Sequence, residues 1–463
     1  MNYPRVTISG LSGDSGKTAV ACGLLASLRE RGMNVSGFKK GPDYIDAAWL
    51  SLSAAKPARN LDTYMMGFAR AKESFLRHAC PDGINIIEGN RGLFDGVDEK
   101  GTHSTAELAK LLQSPVIIVH NVSKMTRTSA ASILGCIKLD PALNIAGVIL
   151  NHVAGERHYV VARKAIEETT GVRVLGGIPR LSGDMVIPSR HLGLSTPGEL
   201  HGRSDLLHRL KTILDNSVDM AAVLDVCRSA PPLEVPAFPD QEPARESATG
   251  AVTIGFLRDG SFSFYYPENL EALAREGANL IPISPSKSAG LGSLDALYIG
   301  GGFPEIHADE LASNKRLMEA IVRSVENGLP VYAECGGLMY LAKDVVWHEK
   351  RCPLCGVLPI VVQVCDKPQG HGYSSMTVDT ANPFFETGTV LKGHEFHYSK
   401  IVERDAGLKT SLAVTRGTGC FDGRDGLTYK NVFASYIHLH ASAAPEWVTG
   451  MMQCARAYKL SDK

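Results

Sequence analysis

The chain has 463 residues, more than one typical hydrophobic core organises, so two or three domains are expected. Its 48 lysines and arginines nearly balance 49 aspartates and glutamates and no basic block is present, which disfavours nucleic acid and anionic membranes as partners. No apolar run approaches the ~18 residues of a membrane span and no signal peptide opens the chain, so a cytoplasmic protein is expected, its ten scattered cysteines being thiols unless catalytic or metal-bound.

Val6-Thr-Ile8 reads as a short strand running into Gly10-Leu-Ser-Gly13-Asp-Ser15-Gly16-Lys17-Thr18, after which Ala19 to Leu28 has helical spacing. Strand, Gly-rich loop ending in Gly-Lys-Thr, then helix is a phosphate-binding loop. Its backbone N–H groups, from Gly13 through Gly16, would cradle phosphate oxygens of ATP. Lys17 would neutralise the β/γ charge, and the Thr18 hydroxyl would ligate Mg²⁺. The strict eight-residue pattern is not met, because Leu11 stands at the first Gly position and Gly10 comes one residue early. That spacing is similar to the dethiobiotin synthetase loop, and Ser12 stands where partitioning ATPases carry a signature lysine.

A second strand, Val35 to Phe38, leads into Lys39-Lys40-Gly41-Pro42-Asp43-Tyr44-Ile45-Asp46. Carboxylates beside lysines at the carboxyl end of a strand stand where an open α/β sheet binds ligands, and these could hold Mg²⁺ or orient the phosphoryl acceptor. A third strand, Ile84 to Ile87, ends in Glu88 at a Walker B-like position, followed by a loop through Asp95. A solvated loop is the plain alternative for either acidic cluster. Strands at Val116 to Val119, Ile145 to Asn151 and Val174 to Ile178 continue the alternation, which implies a mostly parallel, doubly wound sheet. The segment from Ser229 carries five prolines and is the best boundary, giving expected divisions of 1–228, a linker at 229–250, and 251–463.

Beyond it, Val252 to Leu257 reads as a strand, and the Phe264-Tyr265-Tyr266-Pro267-Glu268-Asn269 run opens a helix ending near Gly277. Its aromatics fit a core or a surface toward the other domain. After a strand at Ala296 to Ile299, Gly300-Gly301-Gly302 lets backbone approach a ligand closely. A further apolar run, Leu329 to Ala333, precedes Cys335-Gly336-Gly337 and a short helical start. A cysteine on a strand-to-helix turn has the geometry of a nucleophile elbow, with helix N–H groups aimed at the sulfur and an expected gain in acidity. A buried structural cysteine is the alternative. An oxyanion hole for attack on an amide needs two donors, which Gly301 or Gly302 and Gly336 would supply. His438 and His440 fall on one face of a strand-like run. Cys352-Pro-Leu-Cys355 is half a zinc motif, and the Gly393–Tyr398 stretch with His394, Glu395 and His397 could mimic a metal cluster.

Taken together, Gly-Asp-Ser-Gly-Lys-Thr, Gly41–Asp46, Asn60–Met65, Glu88–Gly96 and Arg190–Leu194 resemble the cobyrinic acid a,c-diamide synthase family over nearly the whole chain. The resemblance implies a dethiobiotin synthetase-like amide ligase fused to a flavodoxin-like class I glutamine amidotransferase. ATP would activate a carboxylate of a tetrapyrrole polycarboxylate, and ammonia from glutamine would replace the phosphate along a shielded path. It also implies that Asp43 and Glu88 join Thr18 around the metal, that Tyr44, Asp46 and Asp95 face the acceptor, and that Asn151 reads adenine. His438 is matched to the histidine that activates Cys335, and the Gly393–Tyr398 stretch to an interface loop. His440 stands where related enzymes carry the carboxylate of the triad; the orienting group is then absent or comes from elsewhere. Ala47-Ala48-Trp49 and Asn90-Arg91 depart from the family pattern in loops expected to touch the acceptor, which keeps a siro-type tetrapyrrole as the alternative to cobyrinate. A nucleotide-dependent switch with a degenerate glutaminase is a third reading, and a homodimer is compatible with the sequence.

Overall fold

Short runs dominated by Val and Ile recur through the first 180 residues, and each becomes a buried parallel strand. The computed structural model describes residues 2–181, 187–190, 193–200, 202–235 and 251–461. It divides into two units, Met1–Phe238 and Pro239–Lys463. His191 and Leu192, and residues 236–250 of the Pro-rich segment, lie outside the described residues.

The first unit contains β1 (Arg5–Gly10), β2 (Val35–Lys40), β3 (Arg59–Leu61), β4 (Ile84–Glu88), β5 (Val116–Asn121), β6 (Ile145–Val153) and β7 (Val174–Pro179), with a two-strand ladder of β8 (Ser189–Arg190) and β9 (Gly193–Leu194) after them. The seven strands run parallel in the order β3-β2-β4-β1-β5-β6-β7. Side chains alternate between two cores. Ile117 and Val119 join Val20, Leu24 and Leu210 from the helices Lys17–Glu30 and Arg203–Ser217. Val116 and Ile118 join Ile133 and Ile166 from the helices Arg127–Leu139 and Glu156–Thr170. A sheet buried on both faces is what continuous β-branched runs require. The carboxyl ends of the neighbouring strands β2, β4 and β1 present Lys40, Glu88 and Gly10 at one edge.

The second unit continues with β10 (Val252–Leu257), β11 (Phe262–Phe264), β12 (Ala278–Ile283), β13 (Ala296–Ile299), β14 (Gly301–Gly302), β15 (Val331–Glu334), β16 (Ala342–Trp347), β17 (Lys350–Pro353) and β18 (Leu358–Val364). It ends with β19 (Gly370–Val378), β20 (Val390–His397), β21 (Ser399–Arg404), β22 (Lys409–Arg416), β23 (Arg424–Tyr429) and β24 (Val432–Ser435). Nine of them form one mixed sheet, parallel through β12-β10-β13-β15-β24 and antiparallel through β23-β22-β19-β20. Leu297, Val331 and Ala333 face Leu317, Ile321 and Val325 of the helix Lys315–Glu326. Tyr298, Tyr332 and Phe433 face Trp447 and Met451 of the helix Pro445–Ser461. No helix among the described residues is long and apolar enough to cross a membrane.

Candidate active sites

In the first unit the loop between β1 and its helix folds back on itself. Lys17 Nζ donates to the Ser12 carbonyl at 2.8 Å, and Ser15 Oγ lies 3.4 Å from it. Gly16 takes φ 94°, a left-handed conformation that glycine adopts at no steric cost, and begins the helix. Asn151, at the end of the β6 core, donates from Nδ2 to the Ser15 carbonyl at 2.9 Å and accepts the His152 N–H at its Oδ1. Its amide therefore holds the loop. Gly13 is exposed at the loop tip.

Three carboxylates and a buried lysine meet beside this loop. Thr18 Oγ1 donates to Glu88 Oε1 at 2.5 Å. Lys39 Nζ bonds Asp46, lies 3.1 Å from Glu88 Oε1 and donates to the Gly89 carbonyl. Burial opposes the Lys39 charge, but Asp46, Glu88 and Asp43 together outweigh it and keep the ammonium. Lys17 is a second cation in this cluster, attracted by Glu88 and Asp46 and repelled by Lys39. Burial pushes the fully buried Glu88 carboxyl up to about 7, with Lys39 opposing and Asp46 assisting. Asp43 is pushed up to about 6 by burial and then by Asp46; its Oδ1 caps the helix Tyr44–Ala54 by accepting the Asp46 N–H at 2.8 Å. Among the described residues Glu88 Oε2 has no hydrogen-bond partner. Tyr44 is half-buried at the start of that helix, and Asp95 is exposed, shaping its loop by accepting the Gly92 N–H at 2.9 Å.

In the second unit, Cys335 stands between β15 and the helix Gly336–Leu341 with φ 48° and ψ −99°, a strained position for a residue with a Cβ. Its N–H donates to the Ser435 carbonyl at 2.7 Å. A Cβ on Gly336 would stand 2.9 Å from the Gly302 nitrogen, and one on Gly301 would stand 2.6 Å from His438 Cε1. The glycine turn, the elbow and His438 thus meet at one point. The expectation of an acidified thiol is corrected here. Burial pushes the Cys335 thiol up, the Glu305 carboxylate adds to that, and the Gly336 N–H opposes it without prevailing. A six-residue helix offers too small a dipole to offset the lost hydration.

The reading of His438 and His440 as one strand face is also corrected. Strand β24 ends at Ser435, where Asp425 accepts the Tyr436 N–H and Ser435 Oγ accepts the Ile437 N–H, drawing the chain off the ladder. His438 exchanges backbone hydrogen bonds with His394, and their rings stack at 4.9 Å. Its Nδ1 lies 3.6 Å from Oε2 of the fully buried Glu334. His440 faces another way. Its Nδ1 accepts the Ser442 N–H at 3.1 Å, and its Nε2 lies 3.6 Å from Glu268 Oε2. The Phe264–Asn269 run is core around this loop: Asn269 bonds both the Leu439 carbonyl and the Ala441 N–H, and Tyr266 packs on His440 at 4.7 Å.

Gly393–Tyr398 is neither a metal cluster nor a loop, since most of it forms strand β20. Glu395 accepts from Ser374, Thr418 N–H and Gly419 N–H, and His397 stacks on Tyr436 at 3.7 Å. Among the described residues no group of three His, Cys, Asp or Glu side chains could hold a metal. Cys355 is buried in the core that includes Tyr340, while Cys352 lies 3.7 Å from Asp309. Glu334 was missed in the sequence. A carboxylate directly before the candidate nucleophile Cys335, closing an apolar run, is the signal that would have found it.

Residues 6–194 match the CobQ/CobB/MinD/ParA nucleotide binding domain, and residues 253–446 the CobB/CobQ-like glutamine amidotransferase domain. The chain is 41% identical to a cobyrinate a,c-diamide synthase of Magnetococcus marinus, over 96% of this chain and 95% of that protein. The chain belongs to the cobyrinate a,c-diamide synthase family. Members from Dehalococcoides mccartyi (39% identical, 99% of each chain) and Methanothermobacter thermautotrophicus (38%, over 97% of this chain and 99% of that one) are similar along their whole length. Both candidate sites therefore fall in segments that the family shares.

Proposed function

We propose that the chain catalyses ATP- and glutamine-dependent amidation of the a and c side-chain carboxylates of cobyrinate, a ligase reaction of cobalamin biosynthesis in the cytoplasm. The observation that carries this reading is the full-length relationship to enzymes of that name, in which the phosphate loop and the Cys335 elbow occupy the two matched domains. That relationship favours cobyrinate over a siro-type acceptor.

At the second unit, Cys335 attacks the amide carbon of glutamine, its proton passing to His438, while N–H groups of Gly301 or Gly302 and Gly336 take the charge forming on oxygen. The thioester forms as ammonia leaves with that proton, and water then releases glutamate. At the first unit, Lys17 and the backbone from Gly13 to Gly16 bind the phosphates of ATP, and the acceptor carboxylate takes the γ-phosphoryl group. Ammonia displaces phosphate from the mixed anhydride, forming the amide. ATP is needed because a carboxylate oxygen is a poor leaving group.

Mg²⁺ fits the residues present: the Thr18 hydroxyl and Glu88 Oε2, which has no hydrogen-bond partner among the described residues, would hold it, with Asp43 as a further carboxylate, and it would neutralise phosphate charge. Tyr44 and Asp46, the latter fixed by Lys39, in the first turn of their helix, and Asp95 on its loop, are the residues we assign to the acceptor. Incubation with ATP, glutamine and either cobyrinate or siro-type acceptors, followed by mass spectrometry, tests the reading. A diamidated cobyrinate is expected; product only from a siro-type acceptor would replace cobyrinate as substrate.

A further inference from the structure

A thiol as buried as Cys335 depends on a base held in one tautomer, and His440 cannot orient it, because its two nitrogens face Ser442 and Glu268. We propose that Glu334, the residue immediately before the nucleophile, is the carboxylate that positions His438 and stabilises its imidazolium. This rests on the glutaminase reading above.

Four observations support it. Glu334 is fully buried, so its charge interacts across little solvent. Parallel pairing of β15 with β24 sets Glu334 opposite Ser435, three residues before His438. Both carboxylate oxygens are held: Oε1 accepts the Leu439 N–H at 3.1 Å and the Tyr332 hydroxyl at 3.4 Å, and Oε2 accepts the Tyr298 hydroxyl at 3.1 Å. The same Oε2 lies 3.6 Å from His438 Nδ1, a separation of the kind that shortens when substrate binds. The Leu439 contact ties the carboxylate to the residue after the base, so the two move together. In the reaction, His438 keeps its Nδ1 proton toward Glu334 while Nε2 takes the proton from Cys335 Sγ as the C–S bond forms. The Nε2 proton then goes to departing ammonia. Glu334 acts only through His438 and is a positioning residue.

The ionisable groups about this ring are Glu334 at Nδ1 and His394 stacked on it; His371 and His440 bear in turn on His394, and Glu305, Glu334 and Glu395 bear on the Cys335 thiol. The test compares glutamine hydrolysis by wild-type, Glu334→Gln and Glu334→Asp full chains across pH, with ammonia-supported ligation reporting folding. For Glu334→Gln, kcat should fall on the order of 10²-fold with KM within about twofold. The acid limb of its kcat/KM profile should move to lower pH, because removing an anion lowers an imidazolium pKa. Glu334→Asp should recover part of both. A Gln variant with kcat within about threefold of wild type, or a lowered kcat with an unmoved acid limb, overturns the proposal. If the Gln variant does not fold, the Asp variant must show the lowered kcat and moved limb, or the proposal fails. Absence of glutamine hydrolysis in the wild type would instead overturn the glutaminase reading.

Discussion

Thr18 Oγ1 donates a 2.5 Å hydrogen bond to Glu88 Oε1, joining the end of the phosphate loop to the tip of a strand 70 residues on. The hydroxyl and carboxylate are therefore aligned with each other at this edge of the sheet. Thr18→Ala and Glu88→Gln should each lower ATP-dependent amidation by about 10²-fold or more, as for lost phosphoryl-transfer machinery, while glutamine hydrolysis assayed alone stays near wild type. Parallel assays of ligation and glutamate release check this. A Glu88→Gln enzyme with wild-type ligation would remove Glu88 from the ATP site.

The same carboxylate has a pH signature. Glu88 is raised in the folded protein to about 7 from an ordinary 4.5, burial being the main cause. Its native form binds a proton more tightly than its unfolded form, so its contribution to stability is complete below about pH 4.5 and is lost as pH rises through about 7. The ligand-free protein should lose melting temperature between these limits, and Glu88→Gln should flatten part of that loss. Asp43, raised to about 6, shifts stability in the same direction and accounts for a remaining slope. Thermal denaturation of both proteins across this range decides it.

Much of the first unit was legible because strands β4 to β7 are rich in Val and Ile and the loops between its elements carry glycine and acidic turn residues. Strand β3 was not, since Arg59-Asn-Leu61 is three residues long and takes its place through pairing with β2. The antiparallel half of the second sheet was equally obscure. Strands such as Gly370–Val378 and Val390–His397 mix polar and apolar residues on a half-exposed surface, and their partners are set by distant register. Cys335 was legible from the two glycines after it. Glu334, the carboxylate proposed to position His438, was not read, because a charge beside a cysteine looks like the end of a strand until the Tyr298 and Leu439 contacts show where it points.

The buried, protonated state of Cys335 makes a chemical prediction. At pH 8 the free enzyme should react slowly with iodoacetamide at Cys335, whose thiol is held protonated by burial, and faster at Cys365, which is only half-buried and open to the reagent. Peptide mapping after timed alkylation measures both. Cys335→Ser should abolish glutamine-dependent amidation while ammonium salts still support it; retained glutamine dependence would remove Cys335 as the nucleophile.

Gly301 tests the geometry where the two halves of this site meet. A methyl group there would stand 2.6 Å from His438 Cε1, too close for any packed pair, so either the glycine turn or the imidazole must shift. The imidazole has little freedom: its backbone is bonded to His394 in both directions and its ring is stacked on the His394 ring. The turn is held too, by the Gly300 N–H donating to Tyr265 and by pairing of Gly301 with Phe264. Gly301→Ala should therefore disturb the base and the oxyanion donors together, lowering glutamine-dependent kcat by about 10²–10³-fold, the usual loss for a displaced oxyanion donor. Ammonia-supported amidation should persist, since that reaction does not pass through this site. Gly290→Ala, where an added Cβ meets nothing within 4 Å, is the control and should leave both activities at wild-type level. Equal activities for the two variants would show that the Gly301 turn and His438 can separate without consequence, and that the oxyanion is held elsewhere.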